Sequence, residues 1–576
     1  MSSEFQVSGT NEAALFTLKI HRGEGMALIA MNWKNGTPPE DFVGFAIEYK
    51  EPGGDRFFAV NNRLAFAGPG GALNPKKLPT TLSPIQKFRW VHFAFNAELS
   101  GEFIYKVKPV FMNEADELSY GEPQQVAIEL RRETYPGQLN VTFTRGFVSS
   151  QAFVDNWGAD AIPLLLPRKA DEGLEFVPTH PKANEALAWM GFEARSAILK
   201  VLDEAIEDPN ADVRAVVYDL NEPGIVSRLE QLGPRLRVII DNDGAHGEAG
   251  SAETAAEQRL KISAGESNVS RQHMGKLQHN KTVVATGTVQ KAVCGSTNHS
   301  WRGFFVQSNN AIILSGEKPV QLFMSAFDDY FAHEDDAAGF GETKSAKWND
   351  LGLEGIDAQI GFSPRSKKDA VLKSIADDIH STTSSLFFSL AFLYQTEGPL
   401  QNAVIDLQKA DQIFCYGISD HQVESLEGPI TSGLDLQKPD GTVRVVHPEA
   451  LVKDVPEPFK SEPTGGGGTR MHHKFVVIDF DKPTARVYMG SFNFSGSADT
   501  SNGENLLLIR DRRIAVAYAV EAVRLFDHCE FRVAQLDAET AQKTLQLARP
   551  PKDGEKPWWH EDFNDVRKIR DRELFA

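Results

Sequence analysis

The amino-acid sequence predicts a multidomain protein: an N-terminal all-β sandwich followed by a duplicated α/β body of two lobes, each a mixed sheet flanked by helices. Three observations carry this. Residues 5–130 are short strand-like runs separated by Gly, Pro and Asn turns, with no helical period. From residue 139 onward, strands alternate with helical stretches. The order helix, strand, helix, strand, motif then occurs twice, ending each time at a His-x-Lys segment, which points to an internal duplication.

Length and composition bound the alternatives. A chain of 576 residues is long enough for two or more domains, each with its own core. With 60 Lys and Arg against 79 Asp and Glu, the net charge is −19, so an anionic substrate must be drawn by a local basic pocket. Cys294, Cys415 and Cys529 form no metal-binding spacing and suit a reducing compartment. No basic segment followed by an apolar one opens the chain, and the longest apolar run, Leu386 to Tyr394, is well short of the ~20 residues of a membrane helix. The expected location is therefore cytoplasmic, and Leu386 to Tyr394 reads as a buried strand.

Taken in order, residues 1–130 form the sandwich. Trp33, and Tyr105 in a Y-x-V-x-P pattern, resemble the core tryptophan and tyrosine of a fibronectin type III domain; with Trp90 they are expected to pack in the core. A linker follows at 131–138. The first lobe, 139–335, opens with a strand at 140–148. It continues with a helix at 184–207, a strand at 213–219, a helix at 225–232 and a strand at 236–241. The second lobe, 336–548, has a helix at 369–379, the strand at Leu386, a helix at 400–409, and strands at 412–417 and 443–447. Residues 461–470, rich in glycine, read as a loop at the rim of the second motif. A tail, 549–576, carries Trp558 and Trp559; it packs on the body or meets a partner.

The motifs are explicit. In one copy His279 and Lys281 form H-x-K, Gly295, Ser296 and Asn298 form G-S-x-N, and Asn309 follows eleven residues later. In the other, His472, Lys474 and Asp479 form H-x-K-x-x-x-x-D, Gly490, Ser491 and Asn493 form G-S-x-N, and Glu504 follows eleven residues later. On a strand, alternate side chains share a face, so each His and Lys is directed to one pocket. The apolar runs TVVA and FVVI would bury those strands. Two lysines, two asparagines and two serine hydroxyls suit binding and stabilisation of phosphate oxygens, while two imidazoles can divide covalent and proton-transfer work.

This constellation, from about Asn140 to Phe531, resembles the phospholipase D superfamily. The resemblance implies a metal-independent phosphodiesterase without a cofactor, in which both halves build one site and a monomer suffices. It implies catalytic roles for His279, Lys281, His472, Lys474, Asp479 and Glu504, and substrate binding by Ser296, Asn298, Ser491 and Asn493. It further implies that Glu504 faces His279 and Asn309 faces His472, which makes His279 the nucleophile forming a phosphohistidine and His472 the general acid and base. Two positions depart from the pattern. Thr286 stands where the first motif should have Asp, and Asn309 stands where a carboxylate is expected. The second asymmetry resembles tyrosyl-DNA phosphodiesterases, which however lack the Asp of both motifs.

The expected substrate is a phospholipid headgroup, with hydrolysis or transfer to an alcohol and peripheral membrane contact through the aromatic-rich sandwich. A nucleic acid is the enzymatic rival, with Arg302, Lys276, Lys291 and Arg470 as the basic residues near the motifs. A binding protein with a vestigial site is the non-enzymatic one. Other histidines have plainer readings: His273 in a loop, His473 pointing away from His472, and His333 with its acids on a solvated loop. No metal site is identified.

Overall fold

The computed structural model describes residues 4–68, 77–130, 133–146, 153, 156–158, 160–393, 398–410, 412–418, 434–437, 443–446, 471–540 and 545–576, with the backbone alone for 434–437, 443–446 and 529–540. The glycine-rich loop 461–470, Arg470 and part of the expected linker lie outside these residues. The chain forms two compact units. One comprises Met1–Arg132, Leu436–Arg444 and Val516–Ala576; the other comprises Glu133–Asp435 and Val445–Ala515.

In the first unit, a four-stranded antiparallel sheet runs in the order Gln6–Ser8, Phe16–Arg22, Ala27–Trp33, Arg89–His92. A five-stranded sheet is built on Glu102–Met112, which pairs with Phe42–Lys50, Leu118–Tyr120 and Gln124–Glu129. Alternation decides the faces: Phe103, Tyr105 and Val107 are buried, while Ile104, Lys106 and Lys108 are only partly so. Apolar residues of both sheets, among them Phe16, Ile29, Trp33, Phe45, Tyr105 and Val126, share one core. The Tyr105 hydroxyl meets His92 Nδ1 at 3.0 Å. The tail Trp559 belongs to that same core, and the Trp558 indole N–H donates to Phe42 O at 2.9 Å. Trp559 is therefore a core residue of its own unit, and Trp558 packs against that core partly buried.

The second unit holds two seven-stranded mixed sheets. In chain order the strands of the first are β1 (Leu139–Phe143), β2 (Val213–Val217), β3 (Leu236–Asp241), β4 (Val269–Gln272), β5 (Lys281–Ala285), β6 (Lys291–Gly295) and β7 (Asn310–Ser315). Those of the second are β8 (Asn349–Asp350), β9 (Asp357–Ser363), β10 (Ser385–Leu390), β11 (Phe414–Ile418), β12 (Lys474–Ile478), β13 (Arg486–Gly490) and β14 (Glu504–Arg510). The first sheet runs β1-β7-β6-β5-β2-β3-β4 and the second β8-β9-β14-β13-β12-β10-β11. Six positions correspond one to one, with β5 and β12 at the centre of each set. The pairs β2–β3 and β10–β11 are parallel, and β5 and β12 are antiparallel to both neighbours. Every residue of β5, β10 and β12 is buried, as expected of strands covered on both faces.

Helices α1 (Ala183–Glu207), α2 (Pro223–Leu232), α3 (Ala252–Ala264) and α4 (Glu317–His333) accompany the first sheet, and α5 (Leu372–His380) and α6 (Pro399–Ala410) the second. Local chemistry starts two of them: Glu222 accepts from Ile225 N before Pro223 opens α2, and Ser251 accepts from Thr254 N at the start of α3. α1 leaves helical geometry at Phe192. Two stretches differ from expectation. Val443–Val446 pairs with Leu434–Gln437 in a separate two-stranded ladder and does not enter the second sheet. The run from Leu386 ends as a strand at Leu390, and Phe392 then turns toward the motif lysine. Among the described residues, no helix is long and apolar enough to cross a membrane.

Candidate active site

The central strands begin at the motif lysines, and each histidine lies two residues earlier. Short parallel bridges carry the histidine segments across to the other half: Gln278 pairs with Gly503, and Met471 with Ser308. These bridges are equivalent, and they set His279 beside Glu504, the first residue of β14, and His472 beside Asn309, the residue before β7. His279 Nδ1 is 2.8 Å from Glu504 Oε2, and His472 Nδ1 is 2.8 Å from Asn309 Oδ1. The two imidazole ring centroids are 6.5 Å apart, with the ring planes inclined at 69°. Both nitrogens that matter for orientation are thus engaged from behind, leaving Nε2 of each ring for chemistry.

The G-S-x-N segments support this pairing. Ser491 donates to Glu504 Oε2 at 2.7 Å and Ser296 to Asn309 Oδ1 at 2.9 Å, and each serine hydroxyl accepts a backbone N–H, from Asn505 and Asn310 respectively. The glycines are needed for close approach: a Cβ on Gly295 would sit 2.5 Å from Asn310 O, and on Gly490 2.2 Å from Asn505 O. A further repeat completes the motif, because Ser300 and Ser495 cap the short helices Trp301–Phe305 and Gly496–Thr500. The motif is therefore G-S-x-N-x-S, a serine signal that the sequence reading did not include.

Lys281 and Lys474 donate to the carbonyl oxygens of His279 and His472, at 2.5 and 2.9 Å. Each ammonium also lies over an aromatic ring, Tyr218 at 4.6 Å and Phe392 at 5.7 Å. Asn298 Nδ2 donates to Asp219 Oδ2 at 2.6 Å. Behind it, His246 bridges two carboxylates, with Nε2 2.9 Å from Asp219 and Nδ1 2.7 Å from Asp241. Asp241 in turn accepts from the backbone N–H of Gln278, immediately before His279, at 2.6 Å. Asp219, His246 and Glu253 have ligand atoms within 4.8 Å of one another and form the group best suited to hold a metal ion among the described residues.

Burial dominates the electrostatics. It drives His279 and His472 well below the ordinary histidine range, with Lys281 and Lys474 adding to the effect on both. Burial also pulls Lys281 down to about 8 and pushes Glu504 up to about 8, the latter against Lys281, Ser491 and Lys474. His246 behaves oppositely: burial disfavours its charge, but the bonds to Asp219 and Asp241 outweigh this and raise it to about 11. Asp219 is likewise opposed by burial and is carried to about 2 by His246, Lys281 and Arg302.

Asp479 stands apart. It ends β12 on the side away from Lys474 and accepts from the N–H groups of Thr383, Ser384 and Ser385 at 2.9, 2.8 and 3.3 Å, fixing the turn into β10. Thr286, its counterpart, accepts from Asp212 N through Oγ1 at 2.9 Å at the start of β2. A hydroxyl thus serves the first half where a carboxylate serves the second. Of the remaining histidines, His273 is on a half-exposed loop, with Asp335 at 3.3 Å. His473 is buried against Phe143 and Phe475. His333 ends α4, 4.0 Å from Asp336. Tyr218, Asp219, His246, Asp241 and Phe392 went unread in the sequence because they are single residues on separate loops and strand ends.

Parts of the chain are similar to known proteins. Residues 448–526 match the family described as cardiolipin synthase, PLD-like domain. A phospholipase D of Rickettsia prowazekii is 49% identical over 47 residues, 8% of this chain and 21% of that protein, and one of Rickettsia felis is 45% identical over a stretch of the same length. The match thus spans about a fifth of the length of these curated relatives. A phosphatidylserine synthase from Haemophilus influenzae aligns in structure over 66% of this chain and 93% of its own, at 13% identity and a TM-score of 0.38.

Proposed function

Because this chain belongs to the phospholipase D superfamily, we propose that it is a metal-independent phosphodiesterase that hydrolyses or transphosphatidylates phospholipid headgroups through a phosphohistidine. The observation that carries this reading is the reciprocal pairing, at equal distances, of His279 with Glu504 and His472 with Asn309, which brings the two ring centroids to 6.5 Å of each other.

In this reading the phosphodiester lies between the rings. His279 donates Nδ1–H to Glu504 and attacks phosphorus with the lone pair of Nε2, forming an N–P bond as the P–O bond to the leaving group breaks. Glu504 offsets the positive charge that develops on the ring. His472 gives its Nε2 proton to the leaving oxygen. The amide of Asn309 holds this ring without anchoring an imidazolium as a carboxylate would, which makes His472 the readier acid. His472 then takes a proton from water or an alcohol, whose oxygen displaces His279 from phosphorus. Lys281, Lys474, Asn298 and Asn493 stabilise the charge on the equatorial oxygens. Ser296 and Ser491, read from the sequence as substrate contacts, act here through Asn309 and Glu504. Asp479 acts through the fold.

The wider reading keeps the sequence boundaries: a fibronectin type III-like sandwich at 1–130, a linker at 131–138, lobes at 139–335 and 336–548, and a tail at 549–576. The two sheets of matching strand order are the products of duplication, and the protein works as a cytoplasmic monomer with peripheral contact to lipid. Phosphatidylcholine vesicles with ethanol and EDTA are the test. Phosphatidylethanol and phosphatidate should form, and both should vanish in His279→Asn. If neither forms while single-stranded DNA or RNA is cleaved with a steep loss of binding in salt, the nucleic-acid reading replaces the lipid one. If nothing is cleaved, the site is vestigial.

A further inference from the structure

The first half of the site carries a charged cluster around Asp219, at a place where the described residues of the second half present Phe392. Val217 stands opposite Lys281 and Leu390 opposite Lys474, so Asp219 occupies the register position of Phe392. Around Asp219 the chain gathers His246, from the loop after β3, and Glu253, from the first turn of α3. Glu253 is 2% exposed; its Oε1 accepts from Leu220 N at 3.0 Å, whereas its Oε2 is buried without a hydrogen-bond partner. A buried carboxylate oxygen left bare next to a second carboxylate is unfavourable unless a proton or a cation supplies the missing partner. With Asp241, three carboxylates share a single imidazole. Of the cations that reach Asp219, Lys281 is committed to the catalytic pocket.

We propose that Asp219, His246 and Glu253 bind one divalent transition-metal ion, zinc being the probe of choice, with Asp241 as the carboxylate that orients the imidazole. One nitrogen and two carboxylate oxygens suit zinc or manganese better than the all-oxygen sets of calcium and magnesium. The carboxylate on the far nitrogen of a ligating histidine is a recurrent support, and Asp241 supplies it at 2.7 Å. On binding, His246 Nε2 loses its proton to solvent and gives its lone pair to the ion. Nδ1–H stays on Asp241. Asp219 Oδ1 exchanges its hydrogen bond to His246 for the ion, while Oδ2 keeps Asn298.

The ion takes no part in bond breaking. The Tyr218 ring stands between His246 and His279, with centroids 4.5 and 4.6 Å from the two imidazoles. Its effect passes through Asp219 to Asn298, so it positions a phosphate-binding amide in one half of a site whose reaction is run by histidines.

The full chain, stripped with EDTA and dialysed against zinc chloride, should bind one equivalent saturably by elemental analysis, and its Tm should rise with free zinc. Glu253→Gln keeps the bond to Leu220 N yet should weaken binding at least ~10-fold, and Asp241→Asn ~10–100-fold, with EDTA-form Tm values confirming that both fold. The absence of a saturable equivalent in the wild type would show that the His246 proton alone fills the position, and would overturn the proposal. So would a Glu253→Gln protein that binds zinc as tightly as the wild type. Neither result bears on whether the histidine pair is catalytic, since metal content is the readout.

Discussion

Replacing Glu504 by Gln isolates what the carboxylate adds to the first histidine. The residue is fully buried, and Gln preserves its volume and an acceptor for Ser491, so the change removes the ability to ionise and to become the charged partner of the His279 ring. A hydrogen bond to a charged partner is worth ~1.5–3 kcal/mol, so phosphohistidine formation should slow ~10–150-fold. The variant also leaves His279 with an amide, as Asn309 already leaves His472. Stability provides a second readout. Burial raises Glu504 from 4.5 to about 8, so the folded protein holds this proton more tightly than the unfolded chain. Its contribution is complete below pH 4.5 and is lost as pH rises to about 8. At ~1.36 kcal/mol per pH unit, the wild type should lose at most about 5 kcal/mol relative to Glu504→Gln across that window. Rapid-quench kinetics with a soluble phosphodiester and calorimetry from pH 4.5 to 9 measure both. A variant within threefold of wild type, or a stability difference that does not change with pH, would refute the reasoning.

Other perturbations separate chemistry from support. Asn309→Asp places a carboxylate behind His472, favours its imidazolium, and should move the acid-controlled limb of the pH–rate profile upward; an unmoved profile would mean that His472 is not the group titrating there. Asp479→Ala strips the turn at Thr383 to Ser385 of its acceptors and should cost ~2–4 kcal/mol in chemical denaturation while leaving kcat within about twofold. Arg365→Ala leaves Asp499 without the partner it meets at 3.2 Å in a site where both side chains are about 2% exposed or less, and should cost ~3–5 kcal/mol. Each is checked by urea unfolding beside a turnover assay.

How much of this was legible in the sequence depends on where the information lies. The central strands announced themselves, because β5 and β12 are unbroken apolar runs opened by H-x-K, and period two fixes where those side chains go. The facing of Glu504 and His279 came from the repeat together with the family resemblance. Three long helices, α3, α4 and Arg512–Thr540, were not read. In α3 the signal was present: Ser251 caps an alanine-rich segment, but weak amphipathicity hid it from a search for apolar periodicity. The cluster of Asp219, His246 and Glu253 could not be read at all. Its members come from a strand end, a loop and a helix start, and only the crossing of β2, β3 and α3 brings them together. Thr286 looked like a defect in the motif and is a working substitute, a distinction that only its bond to Asp212 reveals.

The account rests on His279 as the atom that bonds to phosphorus. Acid-free quenching of the protein during turnover, followed by proteolysis and mass spectrometry under alkaline conditions, identifies the phosphorylated histidine directly. The account predicts the phosphoryl group on the peptide containing His279, accumulating further in His472→Asn, where its release is blocked. A phosphoryl group on His472, or steady turnover with neither histidine modified, would contradict it.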